Sequence, residues 1–348
     1  MTNLETTPTE VVCGSGPGVP PQEVAATPSG EAVVHVLTPR EVPLGGLRAM
    51  TVRRTLPQRD RSLIGAWCFA DHYGPDDVAL TGGMSVAPHP HTGLQTVSWL
   101  FSGEVEHRDS LGTHAMVRPG ELNLMTAGRG IAHSEVSTPQ TTVLHGVQLW
   151  TALPSASRDA SPDFRHHVPD AVPVLDAAGP AGGPAGELRV FLGTLAGCTS
   201  PVPTFSPLLG AELVLGGGHA ADLDLDPTFE HGFLVDAGPV EVDGTTVRPG
   251  ELAYLAPGRD RVTLVASDGA PARLLVLGGE PFGEQIVMWW NLVGGSHEEV
   301  VTARADWQAE LGGPRGRHAA RRFGSVPGPD VAPLPAPELP GVRLLPRG

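Results

Sequence analysis

His89 and His91 stand two residues apart in "SVAPHPHTGLQTVSWLF", and His133 and Glu135 stand two apart in "AGRGIAHSE". In an extended strand, residues i and i+2 point to the same face. Each pair therefore reads as two donors on one face of a strand. If both strands belong to one small barrel, three neutral imidazoles and a carboxylate converge in its interior. That set suits a borderline divalent metal: Fe(II), Mn, Co, Ni, Cu or Zn. No thiolate is present to select zinc or an iron–sulfur cluster. Four protein ligands on an octahedral metal leave two positions for water, substrate or dioxygen, whereas a structural zinc site is closed and tetrahedral.

The elements that would carry these donors are short and β-like. Runs such as "LQTVSWLF", "TTVLHGVQLWTAL", "AELVLGGG" and "ARLLVLGG" recur between Gly, Pro and Asp turns. Many short strands with regular turns imply an all-β sandwich or barrel. Helical periodicity occurs over 296–311, with Ser296 as cap, Glu298 and Glu299 in the first turn, and Val300, Val301, Ala303, Trp307 and Leu311 roughly on one face. The string "VRPGEL" occurs at 117–122 and again at 247–252, and "SGEVEH" at 102–107 is answered by "AGPVEV" at 237–242. The chain thus reads as two related β-domains in tandem. Counting from the shared turn glycines places Asp224 and Asp226 where the first copy has His89 and His91. It places Thr263 and Val265 where the first copy has His133 and Glu135. Turn residues are kept in the second copy and imidazoles are lost. The expected division is a disordered tail over 1–32, a metal-binding domain over 33–155, a second domain over 156–311 that lacks the ligands and ends in the helix, and a Pro/Gly/Arg-rich tail over 312–348.

Composition narrows the function classes. The chain has 348 residues and a formal charge of −15, which opposes direct nucleic-acid binding. Every Lys/Arg position is an arginine, which excludes Schiff-base and phosphate-loop lysine chemistry. Cys13, Cys68 and Cys198 are too few and too scattered for a disulfide framework or a zinc–thiolate site. The first residues lack a basic start and an apolar run, and no stretch is apolar enough to span a membrane. The expectation is a cytoplasmic monomer.

With these motifs in place, the sequence resembles the pirin family of the cupin superfamily. The matching strings include "VRRTLP", "IGAWCFADHYGP", "HPHTGLQTVSWLFSGEVEHRDSLG", "RPGELNLMTAGRGIAHSE" and "GEPFGEQIVMWWNLVGGSHEEVVTARADW". Together the matches cover most of residues 33–311. The resemblance implies a bicupin: two tandem double-stranded β-helix (jelly-roll) barrels with a short C-terminal helix packed back on them. It implies iron bound by His89, His91, His133 and Glu135. It also implies either quercetin 2,3-dioxygenase-like activity on a flavonol-type enol or a non-enzymatic, iron-dependent regulator that binds a metabolic enzyme or transcription factor. Gln95 departs from the Glu of many relatives, and its side chain should alternate away from the histidine face.

In the enzymatic reading Glu135 is ligand and catalytic base, and Met125, Trp99 and Phe101 are conceivable walls of the mouth. His107, His114 and His145 are expected to be strand or loop residues satisfied by water or backbone, with a second role near the metal open to one of them. Asp71-His72 is expected in a structural turn, His166-His167 outside any metal site, and Asp222, Asp224 and Asp226 on a solvated strand face. Trp289-Trp290 are expected between the domains.

Overall fold

Alternation along each strand sets the architecture. In the strand Leu94–Ser102, Val97 and Trp99 enter one apolar cluster while Leu100 enters another on the opposite face. The computed structural model describes residues 33–44, 50–177, 183–312, 321–328 and 331–348. Both halves repeat one antiparallel plan, a seven-stranded sheet with a four-stranded sheet. In the first half, the large sheet runs Asp163–His167, Leu122–Thr126, Leu94–Ser102, Val143–Ala152, Trp67–Asp77, Met50–Leu56, Arg40–Leu44. The small sheet runs Ser85–His91, Ile131–Ser137, Val105–Asp109, His114–Val117. The chain is two β-barrels in tandem, as the repeat implied, and their plan is the bicupin that the resemblance implied.

The barrels meet through their large sheets. Trp67, Val97, Trp99, Leu122, Val147 and Leu149 of the first pack on Phe191, Leu192, Leu234, Leu252, Leu275 and Leu277 of the second. Trp67 Nε1 donates across the seam to Leu209 O at 3.0 Å, and Trp99 Nε1 to Glu212 Oε2 at 3.2 Å. The division expected at 155/156 is crossed in both directions. His35–Leu37 pairs with Leu252–Leu255 of the second barrel, and Asp163–His167 pairs with Leu122–Thr126 of the first. Each barrel borrows an edge strand from beyond that boundary, which covers backbone groups that an open edge would leave unpaired.

The second barrel corrects the repeat count. Its core takes Leu223, Leu225, Val262 and Leu264 from the strands that match the two donor strands. Asp222 instead faces outward, bonded to Arg261 and Thr263. The positions counted from the glycines are one residue out of phase with the interior. Core packing sets the phase of a strand, because a slip of one residue turns every side chain over. The absence of imidazoles there holds, but leucine and valine fill the place, with the aspartates outside it.

The helix His297–Gly312 buries Val300, Ala303 and Trp307. Ser296 Oγ accepts from Glu299 N at 3.2 Å, and Glu299 reaches back to Gly295 N at 2.8 Å, a close variant of the capping box. Trp289 and Trp290 pack beneath this helix with Leu292 and Trp307; they do not lie between the barrels. The C-terminal stretch was expected to be a solvated tail, yet its described residues pack. Phe323, Ala336 and Leu344 join the helix cluster, Trp307 Nε1 donates to Leu334 O, and Leu334 N donates to Pro88 O at 2.8 Å. Arg322 of this tail donates to Asp306 and to Arg129 O. The 1–32 tail and positions 313–320 of the C-terminal tail lie outside the described residues. No described helix is long and apolar enough to cross a membrane.

Candidate metal centre

The two donor strands are neighbours. Ser85–His91 pairs with Ile131–Ser137 so that His89 lies opposite His133. One ligand atom from each of His89, His91 and His133 falls within 4.8 Å of the others. All three side chains are fully buried, and Glu135 is 2 % exposed. Glu135 groups with His133 and His107 within the same limit; it does not complete a single cluster with His89 and His91. Its Oε1 lies 3.3 Å from the Ser98 hydroxyl, which Gln148 Oε1 shares at 2.9 Å.

Backbone carbonyls set two of the tautomers. A carbonyl oxygen only accepts, so His89 Nδ1 must carry the proton it gives to Ala87 O at 2.9 Å, and His91 Nδ1 the proton it gives to Asn291 O at 3.1 Å. Each ring then presents an Nε2 lone pair inward. His89 Nε2 is buried and has no hydrogen-bond partner among the described residues. His91 Nε2 lies 3.1 Å from His133 Nε2. Two imidazole nitrogens at about 2.1 Å from one cation, at right angles to each other, lie about 3 Å apart. Burial pushes all three imidazoles well below their ordinary pKa, and the mutual repulsion of His89, His91, His133 and His107 deepens the shift at His133. The rings are therefore neutral near pH 7, the form a metal requires. An orphaned buried acceptor, fixed tautomers and this spacing together fit a divalent transition metal.

Local structure explains the glycine that follows the histidines. Gly93 has φ +67°, and a Cβ there would collide with Val293 O. The close approach allows Val293 N to bond Thr92 O at 3.1 Å, and the same returning segment delivers Asn291 O to His91. Cys68 supplies no thiolate, since burial raises its thiol to about 12.

Other expectations resolve by position. Gln95 bonds Thr126 and Thr151, away from the imidazoles, as its alternation required. Trp99 is interface core, and Met125 packs with Ile131 and Trp150. Phe101 lies under the Arg273 guanidinium at 4.3 Å. His166 pairs with Glu121 at the surface, and His114 with Glu106. Asp71 and His72 lie in the middle of a long strand and form no turn. Asp71 takes two hydrogen bonds from Arg54, at 2.6 and 2.7 Å. His72 crosses the seam, where its Nε2 and that of His145 both reach Asp236 Oδ1 at 2.6 Å, while Arg273 Nε holds Oδ2 at 2.7 Å. Burial alone would raise the Asp236 carboxyl; hydrogen bonds from His145 and His72 hold it far below the ordinary range. The Arg53 Nη2 atom is 3.3 Å from both His72 nitrogens. With two guanidiniums already supplying positive charge, this trio ties the barrels together and disfavours a further cation.

Residues 49–151 match the Pirin family, and residues 211–311 match the Pirin C-terminal cupin domain. The chain belongs to the pirin family. A Pseudomonas aeruginosa pirin relative with the provisional name quercetin 2,3-dioxygenase is 44 % identical over 310 residues, 89 % of this chain and 92 % of its own. A pirin-like protein of Caulobacter vibrioides is 36 % identical over 74 % of this chain and 88 % of its own. The crystal structure of quercetin 2,3-dioxygenase from Acinetobacter baumannii superposes with a TM-score of 0.79 at 35 % identity, covering 88 % of this pirin and 96 % of that chain.

Proposed function

We propose that His89, His91, His133 and Glu135 form a mononuclear metal centre, with Fe(II) the native ion, and that this pirin is a dioxygenase acting on flavonol-type enols. The observation that carries the reading is the convergence of two carbonyl-fixed imidazoles on one buried point, with His89 Nε2 left without a partner among the described residues. A buried polar atom of that kind is costly unless something meets it. When bound, the metal supplies Lewis acidity toward the substrate hydroxyl and the redox chemistry with dioxygen. Glu135, beside His133, receives the hydroxyl proton of the substrate at its carboxylate. The Ser98 hydroxyl, 3.3 Å from Glu135 Oε1, is the side chain that reaches that carboxylate. The apolar wall of Ile131, Met125 and Trp150 excludes bulk water. The names of the Pseudomonas aeruginosa and Acinetobacter baumannii relatives support the flavonol as substrate class.

A second reading draws on the complete burial of the histidines. Metal occupancy would then be read at the surface by a protein partner, a metabolic enzyme or a transcription factor. Oxygen uptake and loss of quercetin absorbance, followed after anaerobic loading with Fe(II), separate the two. The dioxygenase reading expects both signals in step. No turnover with any divalent metal, together with metal-dependent capture of a partner, would replace it with the regulator.

A further inference from the structure

His107 is buried on the strand Val105–Asp109, next to the strand that carries His133 and Glu135. Its Nε2 lies 3.3 Å from Asp109 Oδ2, and its Nδ1 lies 3.4 Å from His133 Nδ1. Asp109 is fully buried, and its other oxygen accepts from Leu111 N at 2.9 Å and Thr113 N at 3.0 Å. A carboxylate accepts only, so the His107 proton sits on Nε2 and its Nδ1 offers a lone pair. The His133 proton must then sit on Nδ1 to meet that lone pair, which leaves His133 Nε2 free to face the metal. We infer that Asp109 and His107 are positioning residues that fix the metal-binding tautomer of His133, as the carbonyls of Ala87 and Asn291 do for His89 and His91. The inference rests on the metal centre proposed above. Partners of this kind orient a ligand and raise its affinity for the metal, typically 10- to 100-fold.

The replacement Asp109→Asn is diagnostic. The Asn carbonyl must take over the two N–H groups of Leu111 and Thr113, so its amide NH₂ faces His107. His107 then accepts at Nε2, carries its proton on Nδ1, and can no longer accept from His133. Co(II) affinity is measured by chelator competition on the full-length apo chain, with its thermal unfolding recorded alongside. Asp109→Asn and His107→Phe are expected to weaken Co(II) binding roughly 10- to 100-fold. His107→Phe keeps a ring against Phe164 but offers no acceptor. His107→Gln, whose carbonyl can accept from His133 Nδ1, is expected to recover most of the loss relative to His107→Phe. Wild-type affinity in both Asp109→Asn and His107→Phe overturns the inference. So does a His107→Gln variant as weak as His107→Phe, because packing alone would then explain the effect. A wild-type chain that takes up no Co(II) removes the metal centre itself and this inference with it.

Discussion

At the scale of single residues, what decides the chemistry is where each imidazole proton resides. His89 and His91 have their protons placed by backbone carbonyls, and the two-residue spacing that put them on one face was visible in the sequence. The carbonyl of Asn291 was not visible, since it comes from 200 positions away and no local spacing encodes it. His107 was likewise expected to be satisfied by water or backbone, and it meets His133 and Asp109 instead. His231 shows the opposite case. It is fully buried at a cavity of about 340 Å³ in the second barrel, and neither ring nitrogen has a partner among the described residues. Burial lowers its pKa to about 4. The unfolded chain, with an ordinary histidine near 6.5, takes up this proton first as pH falls. Stability is therefore lost between about pH 6.5 and about pH 4, on the order of 3 kcal/mol for this group. His231→Leu is expected to gain on the wild type by up to that amount across this window in urea unfolding. Parallel stability–pH curves for the two proteins would show that the buried imidazole is not the source.

At the scale of elements, the first barrel is a device for holding two strands in register and closing a third segment over them. The strand pairing that sets His89 opposite His133 follows from alternation that the sequence displayed. The phase of the second barrel did not follow from turn glycines, because glycines fix where a turn occurs and the core fixes which side chains enter. Gly93 joins the two levels. Its positive φ and the Val293 carbonyl above it leave no room for a side chain. Gly93→Ala is expected to cost about 2 kcal/mol or more in denaturant unfolding, from backbone strain and the displaced segment. It should also weaken Co(II) binding, because Asn291 O retreats from His91 along with Val293. A variant with unchanged stability and affinity would mean that this approach does not hold the site.

At the scale of the whole molecule, two barrels of one plan differ in what fills their interiors. Both carry the seven- and four-stranded sheets, and the apolar seam and the Asp236 tie join them. The tandem arrangement and the C-terminal helix were legible from the repeat and from Ser296 onward. The exchanged edge strands and the packed C-terminal stretch were not, because Pro- and Gly-rich segments carry no periodicity even when they lie on a core. The first barrel keeps a polar interior with Ser98, Gln148 and Glu135, whereas the second fills the matching place with Leu223, Leu225, Val262 and Leu264. The proposed centre therefore predicts one metal ion per chain, held in the first barrel. Metal analysis of the full chain purified without chelator tests this directly, beside His89→Ala and His133→Ala. The expected result is one equivalent of divalent metal in the wild type and almost none in either variant. Full metal content retained in both variants would contradict the assignment.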